Sequence, residues 1–207
     1  MNYKERILSG SQELFFKYGI KGITMDDIAH HLSISKKTLY RFFGDKDRIL
    51  NQLTKVYLKK KTCSFEDIVS TSKDSVHEMM QLMGHSSEMF RMINPKLFYD
   101  LQKYYPAAWL QFREFKQNCI LAVVEKNIRQ GMKEGLYRED LNASILARLR
   151  VEEVEMAMNP DIFAPASFDL ADVRLGLLDH FLHGITTRKG QKLIEKYTST
   201  LNHKTVL

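Results

Sequence analysis

Apolar residues recur at the three- and four-residue spacing of a helix along most of the chain. The first helix is predicted for residues 3 to 18, where Ile7, Leu14 and Phe15 share one face and Gly19 follows as a stop signal. Beyond residue 61 the same spacing continues, and no segment shows the strict alternation of a half-buried strand. The pattern predicts an all-α protein.

Two short helices are predicted between residues 24 and 43. We expect Thr24 to cap the first, whose apolar positions lie on one stripe: Met25, Ile28, Ala29 and Leu32. Ser33 and Ile34 form the turn between the helices. Ser35 is expected to cap the second helix, whose inner face is Leu39, Phe42 and Phe43. This arrangement is typical of a helix-turn-helix.

The outer face of the second short helix is basic, hydroxylated and aromatic, with Lys36, Lys37, Thr38, Tyr40 and Arg41. The helix dipole disfavours cations in the first turn by roughly 0.3–1 kcal/mol each, whereas a phosphate docked there would favour both lysines. Taken alone, the two lysines are better explained as a solvated charged face. Their place within a helix-turn-helix indicates DNA binding instead.

The rest of the chain is predicted to be helical as well. After Gly44–Asp45, a connector helix begins at Lys46 and continues to about residue 61, and later helices are predicted over 73–93, 96–105, 107–133, 142–158, 169–187 and 191–201. Asn142 and Asp169 are the expected caps of two of them. A DNA-binding module joined to a larger helical domain fits a length of 207 residues.

The positive charge of the chain is confined to its first third. Residues 1–61 hold 13 Lys and Arg against 6 Asp and Glu, a net charge of +7, and the remaining 18 against 19 leave a net charge of −1. A basic module joined to a near-neutral one is typical of nucleic-acid binding. A membrane surface is the rival basic partner, and we disfavour it because no long basic amphipathic helix exposes an apolar face.

Cysteine content and the first residues favour a reducing, cytoplasmic setting. Cys63 and Cys119 are too few for a secreted disulfide framework and lie in no metal-binding motif. The charged start resembles no signal peptide, and no run approaches about 18 apolar residues. We therefore expect a cytoplasmic protein.

Residues 3–61 resemble the TetR family of transcriptional regulators. The resemblance rests on elements at fixed spacing: Leu14-Phe15, Tyr18-Gly19, Thr24, Ile28-Ala29, the run Thr38-Leu39-Tyr40-Arg41-Phe42-Phe43, and Lys46. The chain departs from the family with Ser33, where the family usually has Gly, and with Ser11, where it usually has Ala. We expect Ser33 to adopt an ordinary turn without positive φ, and the fold to be retained.

The resemblance implies a DNA-binding domain over residues 1–61, a ligand-binding and dimerisation domain over 62–207, and a repressor released from a near-palindromic operator by a small-molecule inducer. It places the recognition helix in the major groove of double-stranded DNA. The implied DNA contacts are Thr24, Ser35, Lys36, Lys37, Thr38, Tyr40, Arg41 and Lys46, of which Thr24 and Lys46 would hold phosphates.

A homodimer is implied too, with the helices near 142–158 and 169–187 as its interface, because the second is apolar on more than one side. For an apolar or amphipathic ligand we predict a pocket of Met83, Phe90, Phe98, Trp109, Phe112 and Cys119, with Asn118 or Arg150 as polar contacts. Met and aromatic residues at helical spacing are more often simple core, and that alternative stays open.

Other polar residues are expected to have bland roles. We predict that His30 and His31 are solvated, that His180 and His183 pack or lie at an interface without binding metal, and that Glu152, Glu153 and Glu155 lie on a helix surface. No cofactor, metal or catalytic residue is predicted, because no phosphate loop, nucleophile elbow or HExxH motif is present. An enzyme or a protein-interaction module that retains the head are the alternative functions.

Overall fold

The computed structural model describes the backbone of residues 2–84, 94 and 96–204, and the side chains of residues 2–82, 94 and 96–199. Its helices are α1 (Tyr3–Tyr18), α2 (Met25–His31), α3 (Lys36–Phe42), α4 (Lys46–Thr71), α5 (Ser75–Gly84), α6 (Lys96–Tyr104), α7 (Pro106–Phe115), α8 (Leu121–Lys133), α9 (Ala143–Ala157), α10 (Leu170–Ile185) and α11 (Arg188–Lys204). Within the described residues the β-structure amounts to one isolated antiparallel bridge between Tyr137 and Thr186. The all-α prediction is confirmed.

Side chains cap the helices where the sequence predicts. Thr24 accepts from the amide of Asp27, Ser35 from that of Thr38, Asn142 from that of Ile145, and Asp169 from those of Ala171 and Asp172. Each bond satisfies an amide that has no partner within its own helix. The four predicted helix starts are therefore confirmed.

The chain folds into two compact units. Unit 1 joins Met1–Thr62 to Arg91–Phe115, and unit 2 joins Cys63–Phe90 to Lys116–Leu207. The core of unit 1 contains Ile7, Phe15, Ile28, Leu39 and Ile49, so α1, α2, α3 and the start of α4 pack on one another. Helices α6 and α7 belong to this unit, although they lie beyond the functional division predicted at residue 61.

Unit 2 is built around a continuous apolar core from α5, α8, α9, α10 and α11. Buried members include Met79, Ile128, Ala147, Phe181 and Ile194. A side chain at Gly131 would not fit, because a Cβ atom would lie 2.2 Å from the ring of Tyr137. Gly131 thus allows the close packing of an aromatic ring against its helix.

Several helices differ from the predicted boundaries, and the last one covers Arg188–Lys204 where 191–201 was predicted. Helix α4 continues to Thr71, and the helix predicted over 73–93 is described only as Ser75–Gly84, since residues 85–93 lie outside the described part. The helix predicted over 107–133 is interrupted by a π-helical turn, Lys116–Ile120. In the described residues, no helix combines the length and the apolar character needed to cross a bilayer.

Candidate nucleic-acid interface

Helix α2 begins with a reciprocal pair of hydrogen bonds. The amide of Asp27 donates to Thr24 Oγ1 over 3.1 Å, and the amide of Thr24 donates to Asp27 Oδ2 over 2.8 Å. The Thr24 hydroxyl also donates to Asp27 Oδ2, over 2.6 Å, and this bond, followed by the bond from the Thr24 amide, lowers the pKa of the Asp27 carboxyl. The start of α2 is thereby fixed from both sides of the first turn.

The turn between α2 and α3 has a different backbone conformation from the predicted one. Ser33 has a φ of +52°, in the left-handed region, so the expectation of an ordinary turn without positive φ is wrong. Its amide donates to the carbonyl of His30 over 3.0 Å, and the amide of Ile34 donates to that of Ala29 over 3.0 Å. These closing bonds demand the conformation that the family usually gives to glycine, and the serine adopts it at a conformational cost.

Helix α3 buries Leu39 completely and turns most of its polar residues outward. Among the predicted DNA contacts, Thr38 and Lys46 are half-buried, and the exposed ones are Thr24, Ser35, Lys36, Lys37, Tyr40 and Arg41. Tyr40 keeps 49% of its surface exposed. An exposed tyrosine between lysines and an arginine gives one face that combines cations, hydroxyls and a ring.

The prediction that Phe42 lies on the inner face of α3 is wrong. Phe43 is buried as predicted, but Phe42 is 36% exposed and stacks on Tyr3 of α1 with ring centroids 5.8 Å apart. The guanidinium of Arg41 lies 5.1 Å from the centroid of the Phe42 ring. The end of α3 is thus braced by an aromatic residue from the start of α1, a contact that the sequence pattern does not reveal.

The lysines of α3 differ in their partners. Lys36 donates to Asp26 Oδ2 over 2.6 Å on the surface, and this hydrogen bond raises the pKa of the lysine. Within the described part of the chain, the ammonium of Lys37 has no hydrogen bond or ion pair, and its side chain is exposed. A phosphate would have to compete with Asp26 for Lys36, whereas Lys37 needs no such exchange.

The ammonium of Lys46, which the resemblance implies as a phosphate contact, is bonded to backbone carbonyls in this structure. Its ammonium donates to the carbonyls of Ile20 over 2.9 Å, Ile23 over 2.7 Å and Lys21 over 3.4 Å. An ammonium has three N–H donors, so these carbonyls use all of them. In this structure Lys46 bonds the loop that joins α1 to α2, and its role as a phosphate contact stays a prediction.

The sequence did not single out Asp100 of α6. Its carboxylate is 6% exposed, and Oδ2 accepts the amides of Ile20 over 2.9 Å and Lys21 over 2.8 Å. The signal was its spacing, because Leu97, Asp100 and Leu101 fall on one helical face that is otherwise apolar. A carboxylate on a buried face needs donors, and the loop provides them.

The eight predicted pocket residues are divided between the two units. Phe98, Trp109 and Phe112 lie in unit 1, where the Phe112 ring is 6.1 Å from that of Phe98 and 5.3 Å from that of Trp109. Exposed Asn118, half-buried Cys119 and buried Arg150 lie in unit 2. The side chain of Met83 and all of Phe90 lie outside the described residues. The pocket stays a prediction.

The acidic residues of α9 do not all lie on the surface. Glu152 is exposed and Glu155 half-buried, but Glu153 is 8% exposed and accepts Arg150 Nη1 over 2.9 Å, so its prediction as a surface residue is wrong. Arg150 is 1% exposed, and burial lowers its pKa although Glu153 opposes that shift. Lys116, also buried, bonds both Glu152 and Glu155.

The histidines have surface roles. His30, His31, His180 and His183 are exposed, with His31 3.3 Å from Glu13 and His183 3.3 Å from Asp179 between nearest nitrogen and oxygen atoms. The described residues contain no group of three or more His, Cys, Asp or Glu side chains arranged to hold a metal ion. These contacts assign no ligand to the histidines.

Comparison with known proteins finds transcriptional regulators at each level. Residues 7–53 match the model of bacterial regulatory proteins of the tetR family. The chain is 23% identical over 186 residues to YvaF of Bacillus subtilis (strain 168), an uncharacterized HTH-type transcriptional regulator, covering 88% of this chain and 95% of the relative.

Solved structures share the fold. A TetR family regulator from Agrobacterium tumefaciens aligns with a TM-score of 0.74 at 15% identity, over 89% of this chain and 97% of its own. SmeT, the repressor of the Stenotrophomonas maltophilia multidrug efflux pump SmeDEF, aligns with a TM-score of 0.68 at 19% identity, over 91% and 92%, and is also known as a triclosan complex. The match over residues 7–53, with the helix-turn-helix described above, identifies an N-terminal DNA-binding region of the tetR family of bacterial regulatory proteins, and the solved structures show that the similarity of fold extends over most of the chain.

Proposed function

We propose that the chain is a homodimeric repressor that binds a near-palindromic DNA operator through α3 and leaves it when a small molecule binds. The observation that carries the DNA-binding part is the outer face of α3, where Lys37, Tyr40 and Arg41 are exposed beside two capped helix starts. A helix that presents cations and hydroxyls on one face can bind the phosphates and base edges of a major groove. The matched family and relatives are regulators, so we assign the chain no enzymatic role.

The residues proposed to contact DNA are Thr24, Ser35, Lys36, Lys37, Thr38, Tyr40 and Arg41. Lys36, Lys37 and Thr38 stand in the first turn of α3, which is the part of a recognition helix that meets base edges. Tyr40 and Arg41 follow one turn later and are proposed to meet phosphates or base edges. Most of these contacts position the helix and only a few read the sequence.

A salt titration tests DNA binding directly. Binding to duplex DNA is measured by fluorescence anisotropy between about 50 and 200 mM salt, where each neutralised phosphate contributes about 0.9 to the slope of log K against log salt. The double variant Lys37→Ala with Tyr40→Ala is expected to weaken binding and to flatten the slope. Sequence-independent binding that survives both changes with an unchanged slope would contradict the proposal.

The homodimer is supported by an exposed apolar face on unit 2. Ile145 and Leu149 of α9 are 64% and 49% exposed one helical turn apart, and Leu175 of α10, which packs beside α9, is 43% exposed. An isologous pairing of α9 and α10 with their copies would bury all three in a four-helix arrangement. A twofold dimer would hold its recognition helices roughly 34–36 Å apart, as one turn of DNA requires.

Light scattering across micromolar protein concentrations tests the dimer. Leu149→Glu should shift the molecular mass toward the monomer, because it places a charge at the centre of the proposed interface. Leu110→Glu changes a residue that is also exposed, by 52%, but lies in unit 1, and it should leave the dimer intact. A monomer in the unaltered protein would rule out the pairing.

An apolar or amphipathic ligand is the proposed inducer, with contacts from the predicted pocket residues. SmeT, which shares the fold, is known as a triclosan complex. Trp109 is the chain's one tryptophan and stacks on Phe112, so its fluorescence reports on this aromatic group. Titration with triclosan as the probe should shift Trp109 emission and weaken DNA binding together. A shift in emission that leaves DNA affinity unchanged would contradict an inducer role for that site.

A further inference from the structure

The loop of residues 19–23 joins α1 to α2 and is followed directly by Thr24, which caps α2. Gly19 has a φ of +81°, and a Cβ atom there would lie 3.2 Å from Asp100 Oδ2. The side chains of Ile20 and Ile23 are buried in unit 1. These buried side chains fix the loop against the core of unit 1. Backbone N–H and C=O groups that are held close to the core need hydrogen-bond partners.

Those backbone groups are held from two sides by opposite charges. On one side, the Asp100 carboxylate of α6 accepts the amides of Ile20 and Lys21 over 2.9 and 2.8 Å. On the other, the Lys46 ammonium of α4 donates to the carbonyls of Ile20 and Ile23 over 2.9 and 2.7 Å. The N–H groups thus face a negative charge and the C=O groups a positive one, so each charge polarises the bonds to the other.

Neighbouring contacts of α6 reinforce this arrangement. Asn94, just before α6, donates its backbone amide to the carbonyl of Phe16 over 2.7 Å and its side-chain amide to that of Lys17 over 3.3 Å. Tyr104 accepts Lys21 Nζ over 3.1 Å, and the bond lowers the pKa of the tyrosine. The end of α1 is therefore bonded to Asn94, and the loop residues Ile20 and Lys21 are bonded to α6.

We propose that Asp100 and Lys46 form a two-sided clamp on residues 19–23 and act as positioning residues for DNA binding without touching DNA. The proposal rests on the proposed function. The loop is followed directly by Thr24, which fixes the first turn of α2, and α2 packs against α3. A shift of the clamped loop is passed directly to the start of α2 and from there to the recognition helix. Helix α6 can thus alter DNA affinity through Asp100.

The alternative is that Lys46 leaves the loop carbonyls and neutralises a phosphate. The two roles predict different salt dependence, because a phosphate contact contributes about 0.9 to the slope of log K against log salt and a positioning contact contributes nothing. Lys37→Ala serves as the reference for the loss of a phosphate contact. Lys59→Met removes the same charge from an exposed position of α4 and controls for the general electrostatic field.

Lys46→Met is expected to lower DNA affinity about 5- to 30-fold at fixed salt while leaving the slope as in the unaltered protein. Asp100→Asn should act in the same direction, because its amide replaces one of the acceptor oxygens by a donor and removes the charge. Lys46→Arg keeps the charge but cannot direct three N–H groups to converging carbonyls, so it should lose affinity as well. A slope reduced by about 0.9 in Lys46→Met, with Lys46→Arg close to the unaltered protein, would overturn the clamp.

Amide hydrogen exchange tests the clamp without DNA. The amides of Ile20 and Lys21 should exchange faster in Asp100→Asn. The amide of Lys21 should also exchange faster in Lys46→Met, since it shares its peptide group with the Ile20 carbonyl that Lys46 bonds. Unchanged exchange of the Lys21 amide in Lys46→Met would overturn the two-sided arrangement, and circular dichroism with thermal unfolding shows whether each variant is folded. If Lys37→Ala leaves DNA binding unchanged while these amides respond, the proposed function fails and the clamp stands.

Discussion

The two units place their charged side chains differently. In unit 1 the cations of α3 remain on the surface, and the buried carboxylate of Asp100 bonds to backbone amides of a loop. In unit 2, the buried residues Arg150 and Glu153 pair with each other. Lys116, which is also buried, pairs with the carboxylates of Glu152 and Glu155. Surface charge costs little and is available to a partner, whereas buried charge must be paired within the fold. Unit 1 is thus suited to an external polyanion, and unit 2 to a structure in which charges fix helix packing.

The largest effect is expected at the buried pair of unit 2. Glu153→Ala leaves the Arg150 guanidinium buried without its carboxylate and should lower the free energy of unfolding by about 3–5 kcal/mol. Urea denaturation at fixed protein concentration measures it. The double change Arg150→Met with Glu153→Leu should recover most of the loss, because no charge then remains buried. A small effect of Glu153→Ala would contradict the view that unit 2 depends on the pairing of its buried charges.

A second prediction concerns packing around a glycine. Gly131→Ala places a methyl group 2.2 Å from the Tyr137 ring and should lower the free energy of unfolding by about 1–3 kcal/mol. Gly22→Ala in unit 1 is the matched control, because its Cβ atom would have no neighbour within 4 Å. Equal effects of the two changes in thermal unfolding would show that packing at Gly131 is looser than the structure indicates.

The cap of α2 should contribute less. Thr24→Ala removes the hydroxyl that accepts the Asp27 amide and should lower the free energy of unfolding by about 1 kcal/mol. Thr24→Ser retains the hydroxyl and should be close to neutral. A loss with Thr24→Ser as large as that with Thr24→Ala would mean that the threonine methyl group, and not the cap, stabilises the helix start.

The smallest expected change is a gain. Ser33→Gly removes the strain of a side chain at a φ of +52° and should raise the free energy of unfolding by up to about 1 kcal/mol, offset by the greater freedom of glycine in the unfolded chain. Ser33→Ala should give no such gain, since its Cβ atom keeps the strain. A loss of stability with Ser33→Gly would show that the serine side chain itself stabilises the turn.

Sequence predicts best where a bond joins near neighbours. The caps at Thr24, Ser35, Asn142 and Asp169 were predictable because each acceptor and donor lie two or three residues apart. The helix-turn-helix and its outward cations follow from the same short spacing. The turn at Ser33 was mispredicted because residue type alone favoured an ordinary φ, whereas the closing hydrogen bonds imposed a positive one.

Long-range contacts account for the remaining differences. Phe42 stacks on Tyr3, which lies 39 positions earlier in the chain, instead of packing into the core. Lys46 donates to carbonyls of residues that lie 23 to 26 positions earlier. Glu153 looked like a surface residue until Arg150 beside it proved to be buried. No periodicity in one helix specifies which residue of another helix it meets, so these assignments required the folded structure.

The bonding of Lys46 also affects its chemical reactivity. An acylating reagent needs the nitrogen lone pair, and at Lys46 the nitrogen is reached only after its three N–H···O bonds to the loop are broken. Lys37, exposed and without such bonds in the described part of the chain, should be labelled early. Mass spectrometry of the partly acylated protein would therefore find a modified recognition helix while the lysine at the start of α4 is still intact.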